Sequence, residues 1–194
     1  EAIFDNQLVK GIPIVFLKAD RYIWQLIHEY LSYYYSHTNM VGGDLMILKN
    51  PGRSFEVESI SAGKFPRGWF STPSLSFDGK TLYFAFADFS QVVPERAPRK
   101  TLHDIIARGY DNEIETYLQR EEGKYHLFKM DLETGRTEQL TFGPDDDFDP
   151  AELPDGDLVF VSTRRGGFAR CTARYEPVET ATLHRRTKDG KIKC

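Results

Sequence analysis

One phrase of this chain occurs twice. Thr72-Pro73-Ser74-Leu75-Ser76-Phe77-Asp78-Gly79-Lys80-Thr81-Leu82-Tyr83-Phe84 is echoed by Asp149-Pro150-Ala151-Glu152-Leu153-Pro154-Asp155-Gly156-Asp157-Leu158-Val159-Phe160. The two prolines are 150 − 73 = 77 residues apart, and the two Asp-Gly pairs are 155 − 78 = 77 apart. An internal repeat constrains architecture before any single residue is read. Each copy reads as a strand, an Asp-Gly turn and a second strand, with glycine supplying the positive φ of a tight hairpin.

The rest of the chain supports more strands of the same kind. Fourteen Phe, ten Tyr and two Trp make it rich in the residues that suit a pleated, half-buried surface. Around the first copy, 73–77 and 81–87 read as first and second strands of a meander. Residues 125–132 read as the third and 136–141 as the fourth, joined by Glu133-Thr134-Gly135. Before it, 12–18 reads as a second strand without its first. There 44–49 and 55–60 supply the third and fourth, joined by Asn50-Pro51-Gly52. After it, 151–153 and 158–163 are first and second strands, 182–186 begins a third, and Asp189-Gly190 turns.

Four-stranded antiparallel meanders in series are the blades of a β-propeller. The expected fold is therefore all-β: a partial propeller of about two and a half blades with helical insertions. The blade parts are 12–60, 71–141 and 149–194, and the insertions are 19–43, 88–124 and 164–181. Propellers close with ~4–8 blades, so the chain is expected to be a fragment of a longer one. A small open sheet with a coincidental repeat is the alternative.

The strand pair together with Leu127-Phe128-Lys129-Met130-Asp131-Leu132-Glu133-Thr134-Gly135-Arg136-Thr137-Glu138-Gln139-Leu140-Thr141 resembles the WD-like repeat of TolB-type and tricorn-type propellers. A narrower resemblance lies in 153–171, Leu-Pro-Asp-Gly-Asp-Leu-Val-Phe-Val-Ser-Thr-Arg-Arg-Gly-Gly-Phe-Ala-Arg-Cys, followed by Thr182-Leu183-His184-Arg185-Arg186. It is similar to the middle propeller domain of hydrazine synthase alpha subunits and their bacterial relatives. That resemblance implies a non-haem module and a periplasmic or secreted setting. It covers most of the chain at the level of blades, but only 149–190 at the level of motifs.

Topology points to one face. In a meander, the turns after the first and third strands lie at one end, and the connections after the second and fourth lie at the other. All three insertions follow second strands, and 61–72 and 142–149 join them there. Long loops on one side of a rigid scaffold are where binding concentrates. Tolerance of insertion without function is the competing explanation.

The insertions differ in chemistry. The first holds Tyr22, Trp24, Tyr30, Tyr33, Tyr34, Tyr35, His28 and His37, with apolar spacing that suggests a short helix. Tyr33, Tyr34 and His37 are candidates for ligand stacking or contact. Metal binding by His28 and His37 is not expected, because no matching carboxylate or cysteine spacing accompanies them. The second insertion carries Thr101-Leu102-His103-Asp104 in capping-box order, then Ile105, Ile106, Ile114, Tyr117 and Leu118 at helical spacing. It reads as a helical lid or as a helix pair covering a blade edge.

The third insertion places Arg164, Arg165, Arg170 and Arg174 around Gly166-Gly167. Arginine forks recognise carboxylate or phosphate, so these four are candidates for a small anionic ligand or a protein partner. An arginine ladder pairing with Asp145, Asp146, Asp147 and Asp149 is the slightly favoured alternative. Those aspartates lack the twelve-residue loop of a calcium site, and Asp149 stands where the repeat needs a turn residue.

Other classes find no support. The net charge is −4, which argues against broad nucleic-acid binding. Ile14-Val15-Phe16-Leu17 is far short of the ~20 apolar residues that span a bilayer. No signal-peptide pattern is visible at the start of the chain. There is no Cys-x-x-Cys-His for haem, no Gly-x-Ser-x-Gly elbow and no phosphate-cradling glycine loop. No cofactor, metal or catalytic residue is expected. Cys171 and Cys194 suit either a disulfide or two free thiols. Two function classes remain: a non-catalytic binding module, or the scaffold or gating domain of a larger enzyme.

Overall fold

A computed structural model describes residues 6, 10–19, 43–88, 90, 123–169 and 178–194, and every regular element among them is a strand. The first sheet has three strands, β1 (Ile14–Ala19), β2 (Gly43–Leu48) and β3 (Val57–Ser59), side by side in that order. The middle sheet has four, β4 (Gly68–Leu75), β5 (Thr81–Asp88), β6 (Tyr125–Asp131) and β7 (Thr137–Gln139), again in chain order. The last sheet starts with β8 (Asp147–Glu152) and β9 (Leu158–Ser162). A separate ribbon of β10 (Phe168–Ala169) and β11 (Val178–Glu179) follows. The last sheet then resumes with β12 (Thr182–Arg186) and β13 (Ile192–Lys193), in spatial order β8-β9-β12-β13. All pairings are antiparallel. Consecutive meanders of this kind form a partial β-propeller. The short β13 and the β10–β11 ribbon were not marked in the sequence. The expected helices of 19–43 and 88–124 lie outside the described residues.

The place of β5 within the middle sheet explains why it is a near-continuous apolar run. This strand is covered on both faces, so both sides of its alternation are apolar. Leu82, Phe84, Phe86, Phe70 and Met130 pack with Leu45, Val15 and Leu17 of the first sheet. Ala85, Ala87, Trp69, Tyr125 and Leu127 pack with Leu158 and Phe160 of the last sheet, joined by Phe148. On the first-sheet side, Phe65 inserts among Phe70, Phe84, Phe86 and Phe128, at centroid distances of 5.1, 5.6, 4.9 and 5.4 Å. Most of these contacts are edge-to-face, the arrangement favoured by ring quadrupoles. Gly68 opens β4 where no side chain fits: a Cβ there would lie 2.3 Å from the Ala87 carbonyl oxygen and 2.3 Å from the Phe86 ring.

The two copies of the repeat superpose through their turns with one residue of difference. Ser76 N–H donates to the Thr81 carbonyl at 2.8 Å, enclosing residues 77–80, while Leu153 N–H donates to the Asp157 carbonyl at 2.8 Å, enclosing only 154–156. Lys80 therefore has no counterpart. A one-residue slip within a strand would exchange its faces. Confined to the turn, the deletion keeps them, and Leu158 and Phe160 take the places of Leu82 and Phe84.

Both first strands also share a bulge. Pairing shifts between Ser71 and Ser74 in β4 and between Phe148 and Ala151 in β8. Thr72 (φ 47°) and Asp149 (φ 53°) are the non-glycine residues with positive φ among the described residues. They are equivalent positions of the repeat and touch each other, Asp149 N–H donating to Thr72 Oγ1 at 3.0 Å. The bulge lets β4 resume pairing back to Gly68, which is why it runs 68–75 rather than the expected 73–77. At its other end Ser76 turns away, its hydroxyl donating to Asp78 at 2.7 Å.

A recurring clasp identifies β2 and β3 as third and fourth strands. Leu45 N–H donates to Ser61 Oγ at 2.9 Å, and Ile60 N–H donates to the Leu45 carbonyl at 2.8 Å. In the middle sheet Leu127 N–H donates to Thr141 Oγ1 at 2.9 Å, and Leu140 N–H to the Leu127 carbonyl at 2.7 Å. Each hydroxyl satisfies a buried amide just past the fourth strand, where the ladder has ended.

Candidate functional site

The long connections 20–42, 89–124 and 163–181 follow β1, β5 and β9, so all leave from the same end of their sheets. The opposite end is closed by tight turns at 77–80, 132–135, 154–156 and 188–190. At the long-connection end, between the middle and last sheets, a polar cluster forms around Asp147, which is 0% exposed.

Asp147 opens β8 and points back toward the middle sheet. Arg164, just past β9, forks onto it: Nε donates to Oδ1 at 2.9 Å and Nη2 to Oδ2 at 2.5 Å. The same Nη2 donates to the Phe142 carbonyl at 2.6 Å, which ties the connection after β7 into the pair. His126 of β6 faces the carboxylate, with Nδ1 buried, without a hydrogen-bond partner, and 3.8 Å from Oδ2. That distance is beyond hydrogen-bond length. Burial pushes the Asp147 carboxyl up, but the facing His126, the Arg164 fork and the Ser162 and Thr141 hydroxyls outweigh it. The carboxyl is held below the usual aspartate range. Arg164 is correspondingly held above its ordinary value, chiefly by its hydrogen bonds to Asp147.

Asp146 forms the outer half of the cluster. Its Oδ1 accepts from Tyr125 N–H at 2.9 Å and its Oδ2 from Lys124 Nζ at 3.3 Å. Its own N–H donates to Thr163 Oγ1 at 3.0 Å, and Thr163 N–H returns to the Asp146 carbonyl at 3.1 Å. Asp146 and Asp147 thus stitch β6 and the end of β9 to the start of β8. Both carboxylates already accept from cationic groups, which leaves neither as an open ligand for a hard cation.

The trio of Ser162, His126 and Asp147 does not form a nucleophile–base pair. Ser162 is 0% exposed, its hydroxyl holds Asp147 directly, and it accepts from Arg164 N–H at 3.1 Å. A catalytic serine needs an accessible hydroxyl with its base alongside.

Of the residues singled out from sequence, Arg164 is paired with Asp147. Arg165 is exposed and has no ion-pair partner among the described residues. Arg170, Arg174, Tyr33, Tyr34 and His37 lie outside the described residues. Cys194 is an exposed free thiol, and Cys171 lies outside the described residues. Sequence reasoning missed Lys124, His126, Thr141 and Ser162. The one available signal was their position at strand ends facing the aspartate run. No helix among the described residues is long and apolar enough to cross a membrane.

No family model matches the chain, and no curated protein matches it. Among solved structures it is similar to TolB from Acinetobacter baumannii, with 18% identity and a TM-score of 0.39 over 79% of this chain. The chain spans 28% of that protein's length.

Proposed function

We propose that this chain is a non-catalytic β-propeller module whose long-connection end binds a small anionic ligand or a protein partner. The observation that carries the reading is topological: three long connections leave one end of three successive sheets, and the other end is closed by tight turns. A rigid array with variable loops on one side is the usual layout of a binding surface. Arg164 is committed to Asp147, so recognition of an anion falls to Arg165, together with Arg170 and Arg174 on the same connection. The motif resemblance of 149–190 to hydrazine synthase alpha middle domains supports a module without its own cofactor, in a periplasmic or secreted setting.

Inorganic phosphate is a suitable probe for the arginines. Titrated against the chain and followed by amide chemical shifts, it should give saturable shifts at 163–169 that vanish in Arg165→Ala/Arg170→Ala/Arg174→Ala. Shifts that persist in the triple variant would remove the arginines from the proposal. No saturable shift in the wild type would remove the anion.

A further inference from the structure

The repeat supplies an internal control for the Asp147 cluster. Pairing sets the two copies in register. Leu75 opposite Leu82 corresponds to Glu152 opposite Leu158, and Phe70 opposite Phe86 corresponds to Asp147 opposite Ser162. One step further toward the long connections, Trp69 and Ala87 correspond to Asp146 and Thr163. Beyond them, Asp88 stands where the last sheet has Arg164.

The two sets differ in chemistry. Trp69, Phe70, Phe86 and Ala87 are buried, and the Phe65 ring packs against Phe70 and Phe86. Asp146, Asp147, Ser162 and Thr163 are buried as well, but polar. Asp88 is exposed and accepts from Ser90 N–H at 2.7 Å, whereas Arg164 turns inward onto Asp147. Deeper in the sheets the copies match, Leu82 and Phe84 with Leu158 and Phe160. The exchange of apolar for polar groups is therefore confined to the long-connection end. Phe70 and Phe86 show that an apolar join works at these positions. A buried ion pair brings no general gain in stability over well-packed apolar residues of similar volume. Stability alone does not account for the pair.

What the pair holds is the start of the 163–181 connection. Arg164 N–H donates to Ser162 Oγ at 3.1 Å, and its Nη2 to the Phe142 carbonyl at 2.6 Å. Gly166 N–H donates to the Thr163 carbonyl at 2.9 Å, which closes a turn over Arg164 and Arg165. Thr180 N–H donates to the Gly167 carbonyl at 3.0 Å, and Phe168 and Ala169 pair with Glu179 and Val178. The ribbon of β10 and β11 thus stands on a turn that Arg164 anchors. Arg165 lies in that turn, and Arg170 and Arg174 fall between the two ribbon strands in the sequence.

We infer that Asp147 and Arg164 are positioning residues: beyond joining two sheets, they fix the turn at 163–166, and through it the β10–β11 ribbon and the placement of Arg165. They contact no anion themselves. A loop held in place before binding loses less freedom when its ligand arrives. The gain for an anion rests on the proposed function, whereas the hold on the ribbon does not.

The test combines amide hydrogen exchange with a titration of inorganic phosphate, on the wild type and on Asp147→Asn/Arg164→Met, which leaves neither partner charged. Exchange at the bonded amides of Gly166 and Thr180 should quicken by about tenfold or more relative to the amides of β9. The phosphate dissociation constant should rise by about tenfold or more, although Arg165, Arg170 and Arg174 are intact. A pair that merely joins the sheets would quicken exchange in β8 and β9 as much as at Gly166 and Thr180, and that result overturns the proposal. So does unchanged exchange at those two amides, or a phosphate affinity equal to that of the wild type. A wild type without saturable phosphate shifts removes the anion from the proposed function, while the exchange result still decides the positioning role. Arg164→Lys keeps a charge beside Asp147 but loses the fork. It serves with the same expectations if near-UV circular dichroism shows the double variant unfolded.

Discussion

Removing the Arg164 guanidinium tests whether the Asp147 cluster holds two sheets together. Asp147 is 0% exposed, while the Arg164 side chain keeps 20% exposure. Arg164→Ala leaves a buried carboxylate facing a histidine at 3.8 Å and two hydroxyls, without its fork. Breaking one partner of a buried pair costs about 3–5 kcal/mol. Partial exposure of Arg164 places this case toward the lower end, about 3 kcal/mol. For a chain of this length that corresponds to a fall in Tm of about 6–12 °C. Thermal unfolding at pH 7, followed by near-UV circular dichroism, measures it. The double variant Asp147→Asn/Arg164→Met should recover part of the loss, because neither partner is left charged and buried. A loss under about 1 kcal/mol in Arg164→Ala, the level of an exposed pair, would refute the reasoning. So would a double variant less stable than either single one.

Further outcomes follow from the same contacts. The Asp147 carboxyl is held below the ordinary aspartate value, so its contribution is complete above the unfolded value of about 3.9 and is lost as pH falls through the lower folded value. Asp147→Asn should therefore be less stable at pH 7 and lose less on acidification than the wild type, as read from Tm between pH 7 and pH 2. Gly68→Ala forces a Cβ within 2.3 Å of the Ala87 carbonyl oxygen and should cost about 1–3 kcal/mol in denaturant unfolding. Thr141→Val strands the buried Leu127 N–H and should cost about 1–3 kcal/mol, measured the same way.

The middle sheet was legible because its physics is local. Thr81 to Ala87 is apolar on both sides of the alternation, the pattern of a strand covered on both faces. The repeated Asp-Gly located the turns, and the absence of a counterpart to Lys80 was visible, but its effect on facing required the pairing register. Thr72 gave no local sign of a bulge, and Asp149 read as a turn residue where it is the left-handed residue of a bulge inside β8; the constraint arises from the pairing of each first strand with its neighbour. The Ser61 and Thr141 clasps were hidden because they span 16 and 14 residues and depend on where the fourth strand stops. For the site, pairing between Arg164 and the aspartates stood as one of two readings, and opposite charges at neighbouring strand ends made it visible. The choice of Asp147, and the approach of His126 and Thr141, come from how one sheet packs on the next. No spacing along the chain encodes that.

The central claim is that the long-connection end is the binding end, and amide chemical-shift mapping during a phosphate titration addresses it most directly. The expected result is saturable shifts confined to the 61–72, 142–149 and 163–169 segments. Shifts that instead map to the turns at 77–80, 132–135 and 154–156 would contradict it and place recognition at the opposite end of the sheets.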